Sequence, residues 1–310
     1  MKRVVVTPVY EDAEASARLF KELRAALGDK LFIVAVDDGS VREPVDVASV
    51  AANADGAVIR LRRNVGHQRA IAIGLSYVAR EVEDVEYVVV MDSDGEDLPA
   101  TIAELAAPLQ SSDVDIVVAR RRSRVQALRI RVFYRFYKWL FHALSGREIS
   151  FGNFMALKPA AVRRLAAMQE LWVHVAASVL ASKLRVRICP LDRGPRYAGH
   201  SKMNFVGLAL HGFRGLMVFA DDVLMRVGIA SAIIAALAVI GGIVAVLLKL
   251  NGYATPGWFS VALGVLSIVF LQTGALTLMS LMLTGVVRSG SVATTDYREF
   301  IDQVLHVGAR

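Results

Sequence analysis

The sequence predicts an α/β domain built on a mostly parallel sheet, followed by interfacial amphipathic helices and two transmembrane helices. Three observations carry this expectation. Short Val- and Ile-rich runs alternate with helix-periodic segments up to Ala119, two apolar stretches of spanning length stand near the C-terminus, and each early run ends in polar residues suited to ligand binding.

Taken in order, Val4–Thr7, Phe32–Val36, Val58–Arg60, Tyr87–Met91 and Ile116–Ala119 are short, largely apolar runs rich in Val and Ile, the pattern of strands buried on both faces. Between the first four lie Ala13–Leu27, Val45–Asn53 and His67–Ala79, each with helical periodicity. Strand and helix in alternation imply a parallel sheet covered on both sides, with chemistry gathered at the carboxyl ends of the strands. The residues there are Pro8 and Tyr10, then Asp37 and Asp38, then Arg62 to Gln68, then Asp92 and Asp94. Residues 204–225 read as one or two amphipathic helices, with Leu208, Leu210, Leu216 and Met217 toward lipid.

Val227–Leu248 is unbroken apolar sequence between Arg226 and Lys249, long enough at about 1.5 Å per residue to cross a core of about 30 Å. Trp258–Val287 is a second, longer stretch, and residues 251–257 form a nearly uncharged hairpin between them. Arg214 and Arg226 precede the first span and Arg288 and Arg298 follow the second, while the hairpin carries only Lys249 at its edge. The expectation is a multi-pass protein of the inner membrane with both termini and the large domain in the cytoplasm. The N-terminus, Met1-Lys2-Arg3 running straight into a strand, has no signal-peptide layout. The expected divisions are 1–203 for the sheet domain, 204–226 for the juxtamembrane helices, 227–287 for the hairpin, and 288–310 for a tail with a short helix after Asp296.

Composition agrees. The 310 residues are 55% hydrophobic, with a net charge of +7 that calls for a polyanionic neighbour, either nucleic acid or an anionic membrane face. The spans favour the membrane and argue against nucleic acid. One cysteine, Cys189, cannot form an internal disulfide and fits a reducing compartment.

Asp92-Ser93-Asp94 closes the fourth apolar run. Two carboxylates so close raise one another's pKa unless a cation holds them, and a metal held by only two carboxylates keeps positions open for substrate phosphates. Taken alone, the pattern also suits an acidic turn after a strand. Neither GxxxxGK[ST] nor GxGxxG occurs, and the six histidines show no zinc spacing. Seven arginines between Arg120 and Arg135 stand beside Phe133, Tyr134, Phe136, Tyr137, Trp139 and Phe141. That mixture suits a helix lying against headgroups, a grip on an anionic head, or a solvated basic face.

Val6-Thr7-Pro8-Val9-Tyr10-Glu11, Val36-Asp37-Asp38-Gly39-Ser40, Asn64-Val65-Gly66-His67-Gln68 and Met91-Asp92-Ser93-Asp94 occur in the order found in family 2 glycosyltransferases of the GT-A fold, a Rossmann-like, mostly parallel sheet. With its two spans, the chain over residues 1–287 resembles the polyisoprenyl-phosphate branch of that family, which includes dolichol-phosphate mannose synthase. The resemblance implies an inverting transfer of a sugar from a UDP- or GDP-linked donor to a polyisoprenyl phosphate, with Mg2+ or Mn2+ as cofactor and a homo-oligomer plausible. Transfer to a lipid or saccharide hydroxyl, or nucleotide-sugar binding without turnover, are the alternatives.

The resemblance also implies roles. Pro8, Tyr10, Glu11 and Asp38 would meet the nucleotide, and His67 and Gln68 would open a helix toward its phosphates. Asp92 and Asp94 would bind the metal, Asp94 counting with the catalytic residues and Ser93 lying between them. Glu96 stands where relatives commonly have Gln and would be a third ligand. Asn153, in Ser150-Phe151-Gly152-Asn153-Phe154-Met155, replaces an Asp often read as a base. Asn cannot take a proton, which suits an acceptor phosphate that is already anionic. Arg120 would act in catalysis, and Arg129 and Arg131 in binding. Arg196-Tyr197-Ala198-Gly199-His200-Ser201-Lys202 resembles the family's Arg-x-x-Gly-x-Ser-Lys segment. There Arg196 and Ser201 would bind substrate and Lys202 would neutralise phosphate charge.

Overall fold

Eight strands form one mixed sheet in the order β7-β5-β6-β4-β1-β2-β3-β8, in a computed structural model that describes residues 1–121, 128–197, 205–253, 255–290 and 295–308. The chain divides into two units. One holds residues 1–134, 149–218 and 293–310, and the other holds 135–148 and 219–292.

In the first unit, β1 (Lys2–Val9), α1 (Ala13–Leu27), β2 (Leu31–Asp37), α2 (Val47–Ala51), β3 (Asp55–Leu61), α3 (His67–Glu81) and β4 (Val85–Val90) follow the expected alternation. β1 pairs in parallel with β2 and β4, and β2 with β3, so the loops after all four strands open on one edge. The largely apolar character of the runs has a direct cause. Val4, Val6, Val34, Val36, Val88 and Val90 face a core shared with α3, while Val5, Ile33, Ala35 and Val89 face one shared with α1. Gly74 lets α3 sit close on the sheet, since a Cβ there would meet the buried side chains of Val6 and Val36. The helix expected over Val45–Asn53 shrinks to five residues, with Asp46 as the cap accepting from Ala48 and Ser49 N–H.

Beyond β4 come α4 (Ile102–Ala106), β5 (Ile116–Arg121) and α5 (Leu128–Ser145). β6 (Met155–Leu157), α6 (Pro159–Ala166), α7 (Val175–Ala181) and β7 (Val186–Leu191) then complete that side. β6 inserts between β4 and β5, antiparallel to both, and β7 runs parallel to β5. Asp115 clamps this corner. Its Oδ2 accepts from Arg185 N at 3.0 Å and Nε at 2.8 Å, and its Oδ1 accepts from a terminal guanidinium nitrogen at 2.6 Å. The guanidinium holds the Asp115 carboxyl well down, at about 2. A carboxyl lowered in the folded state stabilises above its ordinary pKa near 4, and that contribution fades as pH falls from about 4 toward 2. Because Arg185 is exposed, Asp115→Asn is expected to cost only ~1 kcal/mol at neutral pH. Its stability should respond less to acid than that of the parent across that window, as read from denaturant midpoints.

α8 (Phe205–Met217) exposes Leu210, Phe213 and Met217 along one stripe; of the face expected there, Leu210 and Met217 are exposed, Leu216 is half-buried and the Leu208 side chain lies outside the description. In the second unit, α9 (Ala220–Leu250) and α10 (Trp258–Gly290) are long and apolar enough to cross a membrane. α9 has 31 residues, about 46 Å, so it outruns a core of about 30 Å, and no break separates the predicted span from the turns carrying Asp221, Asp222 and Arg226. Gly228, Ser231, Ala235, Ala238 and Ala245 form its buried stripe, and Ser280 and Thr284 are the buried polar residues of α10. Small side chains of this kind let two helices approach closely without a hydrophobic drive.

The tail corrects the expectation. After a 3-10 turn at Tyr297–Phe300, Ile301–Val307 forms β8, antiparallel to β3 from Leu61↔Ile301 to Gly56↔Val307. Residues 293–310 group with the sheet unit, as do residues 205–218.

Candidate functional site

The four strand-end loops are tied to one another by carboxylates. Asp37 accepts from Ser40 N at 2.9 Å and Val45 N at 2.9 Å, which shapes the loop after β2. Asp38 reaches across to the loop after β3, accepting from Val65 N at 2.7 Å and Gly66 N at 3.0 Å. Burial outweighs those bonds and raises its carboxyl above the usual range. Glu11 accepts from the backbone N–H of Val41, Arg42 and Glu43, which hold its carboxyl low. Asp38 and Glu11, expected to meet the nucleotide, are thus first of all the braces of the loops that would do so. Pro8 is buried at the end of β1, and Tyr10 beyond it is 44% exposed at the rim.

Asp92 and Asp94 follow β4 directly, with Ser93 buried between them. Asp92 Oδ1 is buried without a well-formed hydrogen bond, 3.2 Å from His67 Nε2. Burial works against the Asp92 charge, yet His67, Arg193 and Arg196 keep its carboxyl below the ordinary value. Burial, with Asp92 and Glu96 close by, raises that of Asp94. The pair is therefore electrostatically unequal and not fully compensated by the protein, as two adjacent carboxylates should be.

Glu96, expected as a third ligand, stands between two arginines. It pairs with Arg193 and, through Oε1, with Arg196 Nε at 3.0 Å. Among the described residues no three His, Cys, Asp or Glu side chains converge as a metal cage. Two residues that sequence reasoning does not single out stand here. Asp97, buried, accepts from Asp92 N at 3.1 Å, and burial beside Asp92 lifts its carboxyl to about 7. Arg193 lies 3.5 Å from Asp97 as well as against Glu96. The only signal for Asp97 is its place as the last acid of Asp92-Ser93-Asp94-Gly95-Glu96-Asp97, while nothing local marks Arg193.

The segment after β7 lies across this acidic loop. Gly194 N donates to Glu96 O at 3.0 Å and Tyr197 N to Asp94 O at 2.9 Å. Gly95 has φ +84 and lies under the Tyr197 ring, 2.6 Å from where a Cβ would be, so only glycine serves there. Arg196 stands at the rim, its guanidinium 2.9 Å from Asp94 Oδ2. Ser201 and Lys202 lie outside the described residues. Arg120 is exposed near the end of β5, and Arg129 and Arg131 fall on α5 with their side chains outside the description.

His67 is the first residue of α3, after Gly66 at φ +91. Burial opposes its charge, but Asp92, Asp38 and Asp94 raise its pKa overall. Gln68, named with the nucleotide-binding residues, has its side chain engaged within the protein. It is 6% exposed, its Oε1 accepts from Val175 N at 2.7 Å, and its Nε2 donates to Asn153 Oδ1 at 3.3 Å. Asn153 Nδ2 then lies 3.1 Å from His67 Nε2, so Asn153 does reach the acidic rim. Nearby, His174 caps α7 by accepting from Ala177 N through Nδ1, which leaves its proton on Nε2 to donate to His211 Nε2 at 3.1 Å. Burial pushes His174 down to about 3 and lowers His211 too, so this neutral pair ties α8 to α7.

Comparison with known proteins agrees with this geometry. The chain is 28% identical over 216 residues to the undecaprenyl-phosphate 4-deoxy-4-formamido-L-arabinose transferase of Enterobacter sp. (strain 638), covering 66% of this chain and 63% of that relative, less than two thirds of its length. The protein of the same name from Klebsiella pneumoniae is 25% identical over 284 residues, covering 87% of this chain and 83% of the relative. Among solved structures, glucosyl-3-phosphoglycerate synthase from Mycobacterium tuberculosis, in complex with Mn2+, UDP and glucosyl-3-phosphoglycerate, matches with a TM-score of 0.52 at 15% identity. It covers 73% of this chain and 79% of that one, which shows a shared fold, the GT-A arrangement. Residues 4–172, more than half of the chain, match the glycosyl transferase family 2 domain, and the protein belongs to that family.

Proposed function

We propose that this protein is a membrane-attached, metal-dependent, inverting glycosyltransferase that moves a sugar from a UDP- or GDP-linked donor to a polyisoprenyl phosphate on the cytoplasmic leaflet of the inner membrane. One observation carries the reading: the Asp92/Asp94 pair ends the central strand of a family 2 sheet, in a chain that continues into an apolar two-helix hairpin. The relatives of the preceding section, named for transfer to undecaprenyl phosphate, support it.

The donor set fits a hard divalent ion such as Mg2+ or Mn2+. Asp92 has a buried oxygen without a good hydrogen bond, and the Asp94 carboxyl is raised by burial and by crowding with its neighbours. Asp92 and Asp94 would hold the ion, which when bound offsets charge on the departing diphosphate. The remaining work falls to the chain. Asp38 pins the loop that leads into α3, so the start of that helix faces the rim where phosphates would lie. Arg193 and Arg196, now occupied by Asp94, Glu96 and Asp97, are placed to trade those partners for diphosphate oxygens. Tyr10 and Pro8 provide a wall for the base.

Sidedness is supported by the sheet itself. β1 to β4 precede the two spans and β8 follows them, yet all share one sheet, so the chain must cross an even number of times. With Arg214, Arg226 and Arg298 outside the spans, that side is the cytoplasm. Anchoring then makes the search for a lipid acceptor local, raising its effective concentration. The test is to incubate membranes holding the protein with a panel of radiolabelled UDP- and GDP-sugars. One label should enter the organic phase as a prenyl-phosphate product in the presence of Mg2+ or Mn2+. No label there with any donor would defeat the reading.

A further inference from the structure

We propose that Asn153 is a hydrogen-bond donor to an acceptor oxygen that is already anionic, and that Gln68 is the positioning residue that fixes which end of the Asn153 amide faces the site. The inference rests on the polyisoprenyl-phosphate reading and deepens it by assigning the feature that selects phosphate over hydroxyl.

The argument starts at a group whose polarity is beyond choice. Val175 is the first residue of α7, and its backbone N–H can only donate. It donates to Gln68 Oε1 at 2.7 Å, so the Gln68 NH2 must point the other way, where it meets Asn153 Oδ1 at 3.3 Å. Asn153 is turned in consequence with its NH2 toward the rim, 3.1 Å from His67 Nε2. Gln68 is 6% exposed, so water has little access to loosen the relay. The backbone next to Asn153 is anchored too, since Phe154 is buried and its carbonyl accepts from Ala119 N at 2.9 Å. Nδ2 can donate to His67 Nε2 only while that nitrogen is unprotonated; once it carries its proton toward Asp92 Oδ1, 3.2 Å away, neither Nδ2 hydrogen has an acceptor among the described residues.

An amide N–H directed at the rim cannot remove a proton from a hydroxyl. It can stabilise an oxygen that arrives with its charge, and a hydrogen bond to a charged oxygen is among the stronger ones. The same scaffold would also have accommodated a carboxylate at 153, which could still accept from Gln68. The choice of Asn therefore changes what the site offers, from acceptor to donor, without changing how the residue is held.

The informative variant is Gln68→Glu in the full-length protein. Its ionised carboxylate can still accept from Val175 N but can no longer donate to Asn153, so the Asn153 amide should turn round and present oxygen to the rim. With the labelled nucleotide sugar that the unmodified protein uses, kcat/KM for a short prenyl phosphate should fall about 10- to 100-fold at pH 8. Nucleotide affinity, measured with UDP or GDP by calorimetry, reads any repulsion of the diphosphate by the new carboxylate, and should fall less than kcat/KM. As pH falls and the buried carboxyl protonates, its O–H can donate as the Gln amide did, and the ratio of variant to parent should rise. Taking that ratio at each pH cancels whatever is common to the two proteins in the titration of His67, Asp92, His174 and His211, the ionisable groups nearest the relay. If Gln68→Glu does not fold, Asn153→Asp carries the test, with a loss of similar size for prenyl phosphate and a smaller change in nucleotide affinity. A folded variant of either kind that keeps parental kcat/KM overturns the inference while the functional reading stands. A parent that labels no prenyl phosphate overturns the reading and the inference together, and needs no variant to show it.

Discussion

Asp94→Asn is expected to lower turnover on the order of a thousandfold while leaving the fold intact. Asp94 Oδ1 accepts from Glu96 N at 3.0 Å, a bond that an Asn carbonyl keeps. Its other oxygen meets Arg196, which retains Glu96 as a partner, so the loop loses little. What disappears is one of the two negative charges proposed to hold a cation against the diphosphate. Losing a single preorganised electrostatic contact commonly costs a hundred- to a thousandfold in rate, and this change removes charge from the metal site itself. Relief of the crowding with Asp92 should leave thermal stability unchanged or slightly raised. The checks are steady-state transfer with Mg2+ or Mn2+ titrated in, and a parallel melting curve. Parental turnover in Asp94→Asn, or parental turnover of the unmodified protein in EDTA, would remove the metal from the mechanism.

The second large effect is on stability. Tyr297→Ala is expected to cost ~3 to 5 kcal/mol, as aromatic-to-Ala changes in cores do. The ring is 2% exposed in the core beside α3, flanked by the guanidinium of Arg80 at 5.4 Å, and its hydroxyl donates to Glu81 at 2.9 Å. Phe300, three residues on, stacks on Trp172 at 5.6 Å, so the turn that launches β8 is fastened twice. Tyr297→Phe keeps the ring and should lose only the hydroxyl's bond, ~1 kcal/mol. Urea unfolding of the full-length protein in detergent, followed by tryptophan emission, reports directly because Trp172 touches this segment. A Tyr297→Ala midpoint equal to that of the parent would mean that β8 adds nothing to the sheet.

The two predictions differ in how visible their residues are in the sequence. Asp92 and Asp94 can be found because a run of apolar residues that must be a buried strand stops at a pair of charges, and both halves of that signal lie within a few residues. β8 cannot, because its partner β3 is more than two hundred positions away and its own irregular mix of exposed and half-buried residues shows no period of two. β6, three residues long, is too short to show a period, and β7 mixes Arg187 and Pro190 into an edge strand. The side-chain partner of Gln68 is hidden for a related reason. The residue's place at a helix start suggests a phosphate, while its partner, the N–H of Val175, belongs to a helix more than a hundred residues later.

The sequence by itself determined the layered sheet domain, the carboxylate pair at its rim, the family motifs and the two apolar helices. Each of these is written in local periodicity or in residues adjacent along the chain, where hydrophobic pattern and charge act at short range. The tertiary structure alone decided that Arg193 and Arg196 engage Glu96, that Asp97 is buried under Asp92, that Gln68 orients Asn153, and that the tail closes the sheet beyond β3. Those outcomes depend on which distant donors and acceptors the folded backbone brings within about 3 Å, because a buried polar group must find a partner wherever the chain supplies one.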